Sequence, residues 1–193
     1  MLKNKPKQFT ERILKPSYWK LEGEKEMMFN AIVGNPPYQL QGGSGGNNDA
    51  PIYQNFAEAS MKLKAQYTSL IMPARWFAAG RENLLGEFRN QMLNNKNLRK
   101  LVSYLDSNDI FPSVEIKGGI CYYLTDSSYI GDCEYTFIHN GIKETSIRKL
   151  NDFDIFIREP KIAEIVKKVI VICGEKTKMV DSIISNDTPF GIP

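Results

Sequence analysis

The chain has 193 residues, of which 42% are hydrophobic and 24% charged, and these fractions are ordinary for a globular protein with one substantial core. No apolar run approaches the roughly 20 residues that span a bilayer, and the basic residues 1–7 lack the apolar segment of a secretory signal behind them. A net charge of +3 permits a polyanionic partner without requiring one. Three scattered cysteines exclude a disulfide framework or a zinc site, so a reduced, cytoplasmic protein is expected.

The predicted elements begin with residues 1–28, interpreted as a helix-and-turn lead-in whose basic end is a solvated tail. Residues 31–33 are apolar and partly β-branched and stop at Gly34, which is the pattern of a buried strand. The sequence Asn35-Pro36-Pro37-Tyr38, called the proline loop below, follows directly. The glycine-rich residues 41–49 come next and are either a surface linker or a mobile lid over the proline loop.

Helices and strands then alternate along the chain. Apolar spacing predicts helices over residues 52–65, 84–93 and 161–172, and strands over residues 67–73, 98–106 and 117–124. Residues 133–150 form a predicted hairpin that turns at Asn140-Gly141. This order predicts an α/β fold with a mostly parallel sheet and an antiparallel hairpin at its margin.

The proline loop has the groups needed to activate a planar amino nitrogen. Loops at the carboxyl ends of strands are where open α/β sheets place ligands. The two prolines fix φ and lack N–H groups, so carbonyl acceptors remain, while Asn35 adds a side-chain acceptor and Tyr38 a flat ring for stacking. Acceptors on both amino hydrogens would stabilise the positive charge that develops as the nitrogen attacks a methyl donor. The alternative is an ordinary turn, which Asn and Pro also favour.

Four sequence blocks, in order, resemble the N6-adenine DNA methyltransferases of bacterial restriction–modification systems, specifically the combined restriction–methylation type. The blocks are residues 33–39, 51–56, 70–77 and 111–123, within a similarity that extends from residue 29 to about residue 172. The resemblance implies a Rossmann-like methyltransferase sheet and S-adenosylmethionine as methyl donor. It also implies double-stranded DNA as substrate, with the target adenine rotated out of the helix.

The resemblance also implies roles for individual residues. Asn35 would accept from the adenine amino group through its side chain and Pro36 through its carbonyl, while Tyr38 would stack on the base. Asn35 and Pro37 would face the methyl donor S-adenosylmethionine. The resemblance also implies contacts to the substrate by Pro37, Arg75, Phe111 and Lys117. No metal ligand is expected.

Several of these positions have a plainer alternative. Phe111 is at least as compatible with core packing, and Arg75 either holds a phosphate or caps its loop. Trp76 is expected to pack in the core. His139 is interpreted as an exposed residue beside the hairpin turn, and no general base is required because the amino proton can leave to solvent.

The chain also departs from the family pattern. Residues 1–33 contain no Gly-x-Gly donor-binding loop, and no acidic residue for the donor ribose can be assigned. The predicted organisation is a lead-in over residues 1–28, a partial methyltransferase domain over residues 29–172, and a tail over residues 173–193 that leads toward an absent target-recognition region. The expected partners are double-stranded DNA and the missing N-terminal donor-binding and C-terminal recognition regions, with no membrane.

We therefore expect weak or no S-adenosylmethionine binding by this chain alone.

Two alternatives to a DNA adenine methyltransferase stay open. A protein glutamine N5-methyltransferase faces the same chemical problem, because its substrate is a side-chain amide nitrogen. A non-catalytic DNA-binding remnant would keep the fold without the reaction.

Overall fold

The computed structural model describes residues 6–19, 29–40, 50–78, 85–153 and 156–173. The predictions for the glycine-rich residues 41–49 and for most of the tail over residues 173–193 lie outside the described residues. The chain divides into two compact units, residues 1–158 and residues 159–193. Within the described ranges, no helix has both the length and the apolar character needed to cross a membrane.

Four α-helices and eight strands are assigned in the described ranges. The helices are α1 (Pro6–Ile13), α2 (Tyr53–Lys62), α3 (Glu87–Leu93) and α4 (Pro160–Cys173). The strands are β1 (Ala31–Gly34), β2 (Gln39–Leu40), β3 (Ala50–Pro51), β4 (Tyr67–Pro73), β5 (Leu98–Tyr104), β6 (Ile120–Asp126), β7 (Cys133–His139) and β8 (Ile142–Arg148). Short 3₁₀ turns occur at Pro16–Trp19, Ala74–Phe77 and Ser107–Asp109.

The main sheet has the strand order β1-β4-β6-β5-β7-β8. β1 pairs in parallel with β4 and β5 pairs in parallel with β7, while β6 is antiparallel to both of its neighbours. Four of the six strands therefore run in one direction and β6 and β8 run in the other, which confirms the predicted mostly parallel sheet. The predicted marginal hairpin is β7–β8, and it turns at Asn140 and Gly141 with φ values of 51° and 74°.

One face of the main sheet forms the core. Its strands contribute alternating buried side chains, and α2 and α3 cover them with Tyr53 and Phe88, whose ring centroids lie 6.4 Å apart. Trp76 is fully buried in the same cluster, with its ring centroid 5.7 Å from that of Phe88, so the prediction that it packs in the core is confirmed. The buried strand residues include Leu70, Met72, Leu101, Cys121, Tyr123 and Tyr135.

The structure differs from the predictions at several element boundaries and by one additional pair of strands. The fourth predicted strand begins at Ile120 rather than at residue 117, because Gly118 and Gly119 have φ values of 89° and 75° and cannot continue an extended strand. β2 and β3 form a separate two-stranded pair that the sequence did not predict. This pair joins the two sides of the glycine-rich segment immediately after the proline loop.

Candidate functional site

The proline loop lies at the carboxyl end of β1, as predicted, but the prediction that this strand is buried is wrong, because β1 is at the edge of the main sheet and Val33 is 79% exposed. Gly34 pairs with Leu70, so β4 continues for three residues past the end of β1 and its last residue is Pro73. Asn35 and Pro37 are exposed and Pro36 is buried between them. The loop thus exposes the polar side chain of Asn35 to solvent, while the side chain of Pro36 is buried.

Tyr38 has a hydrogen-bonded backbone carbonyl and a buried hydroxyl. Its carbonyl accepts a hydrogen bond of 3.1 Å from the N–H of Ile52, next to the start of α2. Its hydroxyl is buried and has no hydrogen-bond partner among the described residues. Burial raises the pKa of Tyr38 to about 12, and the neighbouring Cys121 adds to this rise. Tyr38 therefore remains a neutral aromatic ring at physiological pH.

Buried polar groups lie behind Tyr38. The hydroxyl of Tyr53, the indole nitrogen of Trp76 and the thiol of Cys121 are all buried. Burial raises the pKa of the Cys121 thiol to about 12, although the indole of Trp76 and the charge of Arg158 act against this rise. A thiol with this pKa is protonated at neutral pH, so Cys121 contributes packing here rather than nucleophilic chemistry.

The carboxyl end of β4 leads into the 3₁₀ turn Ala74–Phe77. Its Arg75 is partly buried, whereas Trp76 and Phe77 belong to the core. The N–H of Ala74 donates a hydrogen bond of 3.0 Å to the carbonyl of Gly119. This bond joins the turn that contains Arg75 to the loop that precedes β6.

The loop between β5 and β6 contains Phe111 and Lys117. Phe111 is partly buried, and its N–H donates a hydrogen bond of 2.8 Å to the carbonyl of Ser107. Lys117 is exposed and directly precedes Gly118. Since the end of β5 and the start of β6 lie at the same sheet edge as the end of β4, this loop reaches the edge where the proline loop lies.

Sequence reasoning missed Arg158, which the structure places at this edge. Its Nη2 donates a hydrogen bond of 3.0 Å to the carbonyl of Ala74, and its guanidinium carbon lies 4.9 Å from the centroid of the Phe77 ring. Burial lowers the pKa of Arg158. The sequence around residue 158 contains no motif that would have singled out this arginine, because its partners lie more than 80 positions earlier in the chain.

Comparisons with known proteins assign the chain to a family. Residues 2–111 match the Eco57I restriction-modification methylase family. Over 107 residues the chain is 41% identical to an uncharacterized adenine-specific methylase of Mycoplasma pneumoniae. That alignment covers 54% of this chain and 25% of the relative, so the chain matches only about a quarter of the relative's length.

Two solved structures are also similar. One is a type I restriction-modification system methyltransferase subunit from Streptococcus thermophilus, at 12% identity and a TM-score of 0.44, covering 81% of this chain and 34% of that one. Another is a modification subunit of a putative type I restriction enzyme from Vibrio vulnificus, at 15% identity and a TM-score of 0.41, covering 60% and 27%. On the strength of the family match over more than half of its 193 residues, this chain belongs to the Eco57I restriction-modification methylase family.

Proposed function

We propose that this chain forms the adenine-binding wall of an S-adenosylmethionine-dependent DNA N6-adenine methyltransferase. The observation that supports this most strongly is the position of Asn35-Pro36-Pro37-Tyr38 at the carboxyl end of a parallel strand. Membership of a restriction-modification methylase family favours DNA over a protein glutamine side chain as the substrate.

The proposed task of the loop is to hold one amino group. The side-chain oxygen of Asn35 and the carbonyl of Pro36 would each accept one of the two amino hydrogens. Such acceptors favour the transition state, because positive charge develops on the nitrogen as its lone pair leaves conjugation with the ring. Pro36 and Pro37 restrict the backbone, so little conformational freedom is lost when the base binds.

Tyr38 would hold the base by its ring rather than by its hydroxyl. The hydrogen bond from the N–H of Ile52 fixes the backbone of Tyr38, and the hydroxyl is buried away from solvent. Stacking of a base on an aromatic side chain contributes about 1–3 kcal/mol and does not depend on a hydrogen bond. Phe111 and Lys117, in the neighbouring loop, are proposed as further contacts to the base and its strand.

S-adenosylmethionine would supply the methyl group. Asn35 and Pro37 are exposed at the end of β1, and we propose that they face it. The described residues upstream of β1 contain no glycine and only Glu11 as an acidic residue, so we do not assign the binding of the donor ribose and amino acid to them. The donor-binding region and a target-recognition region are therefore proposed as partners of this chain.

The experiment that tests the proposal compares Asn35→Ala with Asn90→Ala, an exposed asparagine on α3, in a complete methyltransferase containing this segment. Transfer of a labelled methyl group from S-adenosylmethionine to duplex DNA would be measured together with DNA affinity. We expect Asn35→Ala to lower the transfer rate by about 100-fold or more, with the dissociation constant for DNA changed by less than about twofold. Retained transfer by Asn35→Ala would refute the assignment of the loop.

A further inference from the structure

The guanidinium of Arg158 is held in a fixed position. Its Nη2 donates to the carbonyl of Ala74 at 3.0 Å, and its plane lies against the ring of Phe77. Among the described residues this is the hydrogen bond that the guanidinium makes, and its other nitrogens make none. Arg158 is thus anchored by one nitrogen and leaves the rest of its donor fork available.

No carboxylate compensates the charge of Arg158 among the described residues. Neither the ion pair of Arg99 with Asp126 nor that of Lys100 with Glu134 involves Arg158. The titratable groups that affect Arg158 are Tyr135 and Cys121, and burial keeps both of them neutral at physiological pH. A partly buried cation without a counter-charge is costly, and an anionic ligand would offset that cost.

Gly118 lies close to both Arg75 and Arg158. A Cβ atom placed on Gly118 would lie 3.2 Å from Cγ of Arg75 and 3.8 Å from Nη2 of Arg158. Gly118 has a φ of 89°, a conformation that favours glycine, so this position close to both arginines carries no side chain. Arg75 has no ion-pair partner among the described residues either.

We propose that Arg158 and Arg75 bind a phosphodiester group of the DNA strand that contains the target adenine. The assignment rests on the proposed function, since it requires DNA at this sheet edge. A guanidinium fork matches two phosphate oxygens, and most contacts between proteins and DNA are made to the phosphate backbone. The two arginines would then fix the position of the strand while the proline loop holds the base.

The test is the salt dependence of DNA binding by the 193-residue chain, measured by fluorescence anisotropy with a labelled duplex between 50 and 200 mM KCl. Each lost phosphate contact lowers the slope of log K against log salt by about 0.9. We expect this decrease for Arg158→Gln and for Arg75→Gln, whereas Arg158→Lys keeps the slope because it keeps the charge. Arg99→Gln removes the same charge at the opposite end of β5 and should leave the slope unchanged.

Circular dichroism would verify that each variant folds. If Arg158→Gln does not fold, Arg75→Gln still tests the proposal. Wild-type slopes for both glutamine variants, or no salt-dependent DNA binding by the unaltered chain, would overturn the proposal. If inorganic phosphate raises the melting temperature of the unaltered chain but not of Arg158→Gln, while the DNA slopes agree, the site takes a free anion and the DNA assignment is wrong. Failure of Asn35→Ala to stop methylation, with the slope changes present, would count against the proposed function alone.

Discussion

The N–H of Ile52 donates a hydrogen bond of 3.1 Å to the carbonyl of Tyr38, although residues 41–49 separate the two in the chain. Next to this hydrogen bond, β2 and β3 pair through Gln39 with Pro51 and Leu40 with Ala50. The end of the proline loop is therefore attached directly to the start of α2. As a result, the backbone of Tyr38 is tied to the residue that precedes α2.

Replacing Tyr38 by Phe is expected to stabilise the protein slightly. The Tyr38 hydroxyl is buried without a hydrogen-bond partner among the described residues, so its removal should raise the free energy of unfolding by about 1 kcal/mol. Urea denaturation measures this. Tyr129→Phe is the control, because the Tyr129 hydroxyl donates to the carbonyl of Asp132 at 2.6 Å and its loss should cost about 1 kcal/mol. A marked loss of stability in Tyr38→Phe would show that its hydroxyl has a partner.

Gly119→Ala is expected to destabilise the protein severely. A Cβ atom at this position would lie 2.1 Å from the carbonyl oxygen of Tyr104, and the φ of Gly119 is 75°. The backbone would have to move, at a cost of about 3 kcal/mol or more. Gly141→Ala is the matched control, since Gly141 has a φ of 74° but nothing within 4 Å of the added atom. It should cost only about 1 kcal/mol; equal losses in a denaturation experiment would contradict the steric explanation.

The thiols of Cys121 and Cys133 are expected to be unreactive in the folded protein. Both are buried and free, and burial raises the pKa of each to about 12. In a Cys173→Ser background, a disulfide reagent at pH 8 should modify neither thiol until denaturant is added. Rapid modification of one thiol in the native state would show that its side chain reaches solvent.

Asp126 is expected to make stability depend on acid pH. Hydrogen bonds from Ser128 and the charge of Arg99 lower its pKa, with the oxygen-to-nitrogen distance to Arg99 at 3.1 Å. A carboxylate with a lowered folded-state pKa contributes stability above its unfolded pKa, and this contribution is lost as the pH falls through the folded value.

The measurement compares unfolding of the unaltered chain and of Asp126→Asn at pH 7 and near pH 3. The variant should be less stable at pH 7, and the difference should shrink at the lower pH. Glu134→Gln removes one partner of the exposed pair with Lys100 and should have little effect at either pH. A constant difference between the Asp126 variant and the unaltered chain would exclude this ionic contribution.

The parts of the site that could be predicted are those whose signals are local. An apolar, β-branched run followed by Asn-Pro-Pro-Tyr indicated a strand and the loop after it from neighbouring residues alone. Asn140-Gly141 indicated the hairpin in the same way, because both residues tolerate positive φ. The burial of Trp76 followed from its place at the end of an apolar strand.

The parts that could not be predicted depend on pairing between distant segments. Nothing within residues 120–126 indicates that this strand is inserted between β4 and β5 and runs against both. The proximity of Arg158 to Ala74 and Gly118 follows from that insertion and from the path of the chain after β8. Single-residue patterns indicate which face is buried, but they do not encode which strands become neighbours.

The late position of β6 in the chain has a consequence for biosynthesis. During translation β4 and β5 emerge before the strand that separates them, so both have an unpaired edge until Ile120 and the residues after it are made. Unpaired edges readily associate with other molecules. A version of this chain that ends before Ile120 is therefore expected to aggregate, whereas one that retains β6 pairs the edges of β4 and β5 that face it.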